Sequence, residues 1–227
     1  DLGDLEAARV AYQRAIALKA DYAEAIGNLG LVQVGLKEAA AAEASYREAL
    51  ELKPDLIDTL NNLGSLLCQS DRAKEAVSCF ERALALRPRS PGVLCNLAAA
   101  FKQTGQLEAA ISALHQAIAL QPDLAAAHHS LGLLLQRAGS LTEAEQSYRA
   151  ALALEAANPA YCGGLASVLE LQGRPGGRGG QARRRGGVQR RKGLPRKAHR
   201  VSSVTVRKVC SRQTTGPSEY RGFASAF

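Results

Sequence analysis

The sequence predicts an all-α fold, a solenoid of antiparallel helix pairs followed by a basic C-terminal tail. Three observations carry this reading. A 34-residue period runs through most of the chain, apolar residues inside each period recur at helical spacing, and Gly, Asp and Pro punctuate it at fixed places. Pro54, Pro88 and Pro122 set the period, since the intervals between them are equal. Asn28-Leu29-Gly30, Asn62-Leu63-Gly64, Asn96-Leu97-Ala98 and Ser130-Leu131-Gly132 then fall at one phase, with Gly163-Gly164-Leu165-Ala166 as a weaker copy. Apolar residues make up 46% of the chain but aromatics only 4%, so the core must be built from Ala and Leu, which lets helices pack closely.

Taken in order, residues 1–22 form a half repeat ending Ala15-Ile16-Ala17-Leu18. Full repeats follow at 23–56, 57–90, 91–124 and 125–158, and a last half repeat covers 159–172. In the second full repeat Leu60, Leu63, Gly64 and Leu67 follow the i, i+3, i+4, i+7 rule of one helix face. Ala73, Ala76, Val77, Phe80, Ala83 and Leu84 repeat it on a second helix. Short polar turns separate the two: Ser70-Asp71, Thr104-Gly105-Gln106 and Ala138-Gly139-Ser140. Gly105 and Gly139 stand where a reversal favours positive φ, and each proline stops the second helix. Ser140-Leu141-Thr142-Glu143 reads as a capping box.

This pattern resembles the tetratricopeptide repeat, a helix-turn-helix with small residues where its two helices cross. The small positions here are Gly30, Gly64, Ala98 and Gly132 on first helices, with Ala42, Ala76, Ala110 and Ala144 on second helices. Tyr12, Tyr46, Phe80, Leu114 and Tyr148 supply the large second-helix residue. Ala20 and Ala156 depart from the stop proline, and first-helix aromatics are mostly Leu. One repeat cannot bury its own apolar face, so stacking is obligatory. The resemblance implies a right-handed superhelix whose first helices line a concave groove for a peptide or protein segment.

Carried over residue by residue, the groove set is Asn28, Asn61, Asn62, Ser65, Gln69, Asn96, Lys102, Gln103, His129 and Arg137. An amide side chain both donates and accepts, so a ladder of Asn28, Asn62 and Asn96 suits the main chain of an extended ligand. The alternative reading is that these amides satisfy nearby backbone. The ladder is also similar to the repeat region of O-linked N-acetylglucosamine transferase-like proteins, which makes a substrate-recruiting arm of a larger transferase the rival function. A clamp for acidic peptide termini is not expected, because the neighbours of the groove asparagines are Gly27, Asn61, Cys95 and His129.

Catalysis, a metal and a cofactor are not expected. Consecutive His128 and His129 point in different directions on one helix, and His115 lies beside Gln116. The cysteines, at 68, 79, 95, 162 and 210, show no metal-like spacing and read as reduced core thiols of a cytoplasmic protein. No stretch approaches the roughly 20 apolar residues of a membrane span. The absence of Met points to a fragment of a longer protein.

Composition breaks after Gln172-Gly173. Residues 173–227 hold 15 Lys/Arg and one acid (+14), whereas the preceding residues hold 14 Lys/Arg and 20 acids (−6). The break falls inside a repeat, where a second helix is due, and Gly, Arg and Ala are what GC-rich codons yield out of frame. A disordered tail produced by a shifted reading frame is therefore the expectation. A solvated linker, or a basic arm that binds nucleic acid through Arg183-Arg184-Arg185 and Arg190-Arg191-Lys192, are the other readings. Leu165, Val168, Leu169 and Leu171 are expected to leave apolar surface on the last helix, so self-association through terminal helices is a further expectation.

Overall fold

The computed structural model describes residues 2–173; the expectations for the tail beyond Gly173 lie outside the described residues. Ten α-helices and no strand occur among the described residues. The chain divides into two compact units, Asp1–Ala127 and His128–Phe227. The first holds α1 (Leu2–Leu18), α2 (Ala23–Gly35), α3 (Ala39–Leu52), α4 (Ile57–Gln69), α5 (Ala73–Leu86), α6 (Pro91–Gln103) and α7 (Leu107–Leu120). Helix α8 (Ala125–Ala138) begins at its end, and the second unit continues with α9 (Leu141–Leu154) and α10 (Pro159–Gly173).

One turn geometry recurs every 34 residues. Lys37 (φ 64°), Asp71 (φ 57°), Gly105 (φ 80°) and Gly139 (φ 85°) all occupy the left-handed region just after a first helix. The next residue closes each helix end with an i→i−5 backbone bond: Glu38 N–H to Gln33 at 2.8 Å, and Arg72, Gln106 and Ser140 N–H to Leu67, Phe101 and Leu135 at 2.9 Å. Glycine at 105 and 139 meets this geometry without strain, while Lys37 and Asp71 adopt it against their side chains. Second helices stop alike, with Lys53, Arg87, Gln121 and Glu155 N–H reaching Ala49, Ala83, Ala117 and Ala151 at 2.9 Å. The stop at Glu155 forms although Ala156 replaces proline, so proline reinforces this ending rather than creating it.

Packing follows the small-against-large rule. A methyl group on Gly30 would lie 2.7 Å from the Tyr46 ring, one on Gly64 2.7 Å from the Phe80 ring, and one on Gly132 2.9 Å from the Tyr148 ring. In the third full repeat, Ala98 and the smaller Leu114 hold the corresponding places, and both are buried. Around Phe80 the core joins three repeats, from Tyr46 through Leu60, Leu63 and Leu67 to Val93 and Leu97. Each such buried side chain contributes about 1.5–3 kcal/mol relative to exposure.

Two expectations are corrected. Ser140 makes no side-chain capping bond; at φ −78°, ψ 63° its backbone is outside the extended geometry that brings a hydroxyl over the next turn. On α10, Leu165 and Val168 are buried in the second unit, where α10 packs on α9, and Leu169 and Leu171 are half-buried. The more exposed terminal helix is α1, which has no fully buried residue.

Candidate functional site

In the first unit the first helices touch their own second helices and also one another, α2 with α4 and α4 with α6. Their outward rows therefore lie side by side. Each row climbs its helix at i, i+4, i+7 and i+11. It comprises Glu24, Asn28, Leu31 and Gly35 on α2, then Asp58, Asn62, Ser65 and Gln69 on α4, then Gly92, Asn96, Ala99 and Gln103 on α6. All twelve are exposed except Asn62, Ser65 and Asn96, which are half-buried.

The structure separates the predicted residues into groups. Asn96 Nδ2 donates to Asn61 Oδ1 at 2.9 Å, an amide bridge between neighbouring first helices. Ser65 Oγ donates to the Asn61 carbonyl one turn back at 2.9 Å. Those three side chains are thus engaged within the fold, Asn96 through a side chain rather than through the nearby backbone that the alternative reading named. Asn28, in the middle of α2, and Asn62, in the middle of α4, form no side-chain bond among the described residues, so both amides face the surface uncommitted. Gln69, Lys102 and Gln103 are exposed in the last turns of α4 and α6.

In the second unit, Arg137 is exposed in the last turn of α8. His129 is half-buried, its ring centroid 4.8 Å from that of Tyr161 and 5.7 Å from that of Tyr148. Burial holds its imidazole below the ordinary histidine pKa, which favours the neutral ring. His129 is therefore a packed aromatic neighbour as much as a surface group.

Leu31 also stands on the exposed row of α2, a place the sequence reading did not give it. It is 52% exposed, one turn from Asn28 on the same row. In a Leu-rich helix it reads as core; the signal was its i+3 place after Asn28. Glu24 on that row is held by Lys53 at 2.8 Å, and this bond lowers its carboxyl pKa.

A charged network lies at the joint between α3 and α5 instead. Glu43 pairs with Arg47 at 2.7 Å and Arg72 at 2.8 Å, and Glu75 pairs with Arg72 at 2.6 Å and Arg47 at 3.3 Å. Hydrogen bonds from Arg47, then Arg72, lower the Glu43 pKa, and those from Arg72 lower that of Glu75. Burial raises the thiol pKa values of Cys68, Cys79 and Cys95, opposite to what a nucleophile needs. Among the described residues no three His, Cys, Asp or Glu side chains gather as metal ligands, and no helix is long and apolar enough to cross a membrane.

Family models described as tetratricopeptide repeat match residues 55–123, residues 23–56, and residues 95–161 and 129–176; a model described as TPR repeat matches residues 1–37. No curated protein matches the chain. Among solved structures, MamA (residues 41 to the end) from Desulfovibrio magneticus RS-1 is 22% identical with a TM-score of 0.65, over 69% of this chain and 89% of that one. YrrB, described as a TPR protein with an unusual peptide-binding site, is 22% identical with a TM-score of 0.64, over 71% of this chain and 84% of that one. The Cut9–Hcn1 hetero-tetramer of APC/C matches at 22% identity and a TM-score of 0.66, over 74% of this chain and 34% of that one. These likenesses show the fold, an all-α solenoid of helix pairs.

Proposed function

Because the chain belongs to the tetratricopeptide-repeat family, we propose that it is a non-catalytic protein-interaction scaffold whose first-helix face receives an extended peptide segment. The observation that carries this is the row geometry of the first unit. Asn28 and Asn62 stand at one phase on adjacent helices with uncommitted amides, and Leu31 offers apolar contact beside them. An amide can donate to a peptide carbonyl and accept from a peptide N–H, so it grips main chain whatever the ligand's sequence. A solvent-exposed leucine in such a row gives a side-chain anchor, the usual division between main-chain affinity and pocket specificity. Asn96 plays a different part, since its bridge to Asn61 fixes the spacing of α4 and α6 and so presents the rows as one surface.

The peptide-binding site named for YrrB supports a peptide ligand by analogy of fold. The rows of the first unit carry two acids, Glu24, which Lys53 holds at 2.8 Å, and Asp58, and no Lys or Arg, so a neutral or weakly basic segment fits them better than an acidic one.

The test is selection of binders from a random peptide library on the full chain, then titration against an Asn28→Ala/Asn62→Ala variant. We expect affinity to fall about tenfold or more, equivalent to about 1.4 kcal/mol, with the melting curve unchanged. Equal affinities would remove the groove assignment.

A further inference from the structure

Each unit carries the same arrangement, three periods apart in the sequence, and only the second unit completes it. There the Tyr148 ring lies against Gly132, and the Tyr148 hydroxyl donates to Gln136 Oε1 at 3.1 Å. Gln136 Nε2 in turn donates to Ser167 Oγ on α10 at 2.9 Å. A carboxamide thus links a buried tyrosine to a serine on the following first helix. In the first unit Tyr46 lies against Gly30 in the same way, and Ser65, on the row of α4, holds the place of Ser167. Val34 stands where Gln136 does, and it is apolar. The Tyr46 hydroxyl, fully buried, is therefore left without a hydrogen-bond partner among the described residues. A buried hydroxyl without a partner costs free energy that a matching acceptor recovers.

We propose that the joint between α2 and α4 is a binding site for a carboxamide side chain, a glutamine or asparagine of the ligand that takes the place of Gln136. This deepens the peptide reading and rests on it, since α2 and α4 carry the rows assigned to the peptide. The two partners select the group. Ser65 Oγ already donates its hydrogen to the Asn61 carbonyl at 2.9 Å, so toward a ligand it can only accept. The Tyr46 hydroxyl is an unmatched donor. A group that satisfies both must accept at one atom and donate at another, as a carboxamide does. A carboxylate only accepts, and its charge would be buried unpaired. An aliphatic side chain does neither. Val34 is half-buried and shorter than glutamine, so turning it aside admits the amide. Phe80 and Leu114 hold the place of Tyr46 in the next two repeats and bring no hydroxyl, so the joints that follow lack the donor.

The test is peptide selection on the full chain, followed by titrations that pair chain and peptide variants. Selected peptides should carry glutamine or asparagine at one shared position. Replacing that residue by leucine or glutamate should weaken binding about tenfold or more, and Tyr46→Phe should do the same. Both changes together should weaken it little further, because they remove one contact. Tyr46→Phe deletes a hydroxyl that has no partner, so the free chain keeps or raises its melting temperature and unfolding cannot explain the loss. Val34→Gln supplies the amide from within, so it should raise the melting temperature while weakening the amide peptide about tenfold. Peptides without a shared amide overturn the proposal, as do a Tyr46→Phe chain that binds unchanged and losses that simply add. If Asn28→Ala/Asn62→Ala still weakens binding in those cases, the peptide reading stands alone; if that variant also binds unchanged, or the library yields no binder, both readings fall.

Discussion

Adding one methyl group at Gly64 tests how the helix pairs are held. In Gly64→Ala the new carbon would lie 2.7 Å from two Phe80 ring atoms and 3.1 Å from a third. Ordinary carbon contacts begin near 3.4 Å, so the ring must retreat by roughly 0.7 Å inside a core where it has no exposure. Overpacking of this kind costs about 1–3 kcal/mol, partly offset by about 1 kcal/mol gained when alanine replaces glycine in a helix. The net loss should be up to about 2 kcal/mol, and Gly64→Leu should exceed it. Phe80→Leu alone leaves a void. The double variant Gly64→Ala/Phe80→Leu rebuilds the Ala98 and Leu114 combination already buried in the third full repeat. The two changes should therefore couple favourably by about 0.5–3 kcal/mol. Urea unfolding followed by circular dichroism measures all four corners. Additive effects would mean that the two residues do not share a crossing, and the small-against-large account of packing would fail.

Other expectations follow from single contacts. The buried Tyr46 hydroxyl finds no hydrogen-bond partner among the described residues and its pKa is pushed up to about 12, whereas the Tyr148 hydroxyl donates to Gln136 Oε1 at 3.1 Å. Thermal melts should show Tyr46→Phe neutral or stabilising and Tyr148→Phe costing about 0.5–1.5 kcal/mol. Lys37→Gly and Asp71→Gly should each stabilise by up to about 1 kcal/mol, and Gly105→Ala and Gly139→Ala should destabilise by about 1 kcal/mol, with chemical denaturation as the readout. Glu43 and Glu75 have folded pKa values below the ordinary one, so their contribution is present above the unfolded value of about 4.3 and is lost as pH falls through the lower folded value. The melting temperature should drop between about pH 5 and pH 3, and Glu43→Gln/Glu75→Gln should flatten that drop; an unchanged slope would show the network contributes nothing.

The fold class was legible because every level of the sequence agreed: period, apolar phase, turn residues and small crossings all indicate paired helices. Gly105 and Gly139 announced their left-handed turns, but Lys37 and Asp71 could not, since the strain they carry is imposed by the same turn closing on a non-glycine residue. The capping box at Ser140 failed because the preceding left-handed residue fixes the backbone before the serine can adopt a capping geometry. At the candidate surface, the phase of Asn28, Asn62 and Asn96 was visible as a column. The bridge from Asn96 to Asn61 was not, because it joins side chains 35 positions apart on helices whose spacing only packing determines. Leu31 stayed hidden because its residue type says core while its place on the row says surface.

The most direct test of the account is where a bound peptide touches the chain. A photoreactive amino acid at position 31, on the exposed row of α2, and another at position 78, exposed on the second helix α5, report the two faces separately. With a library-selected peptide, the account predicts adducts at position 31 and none at 78. Labelling confined to position 78 would place the ligand on the opposite side and contradict it.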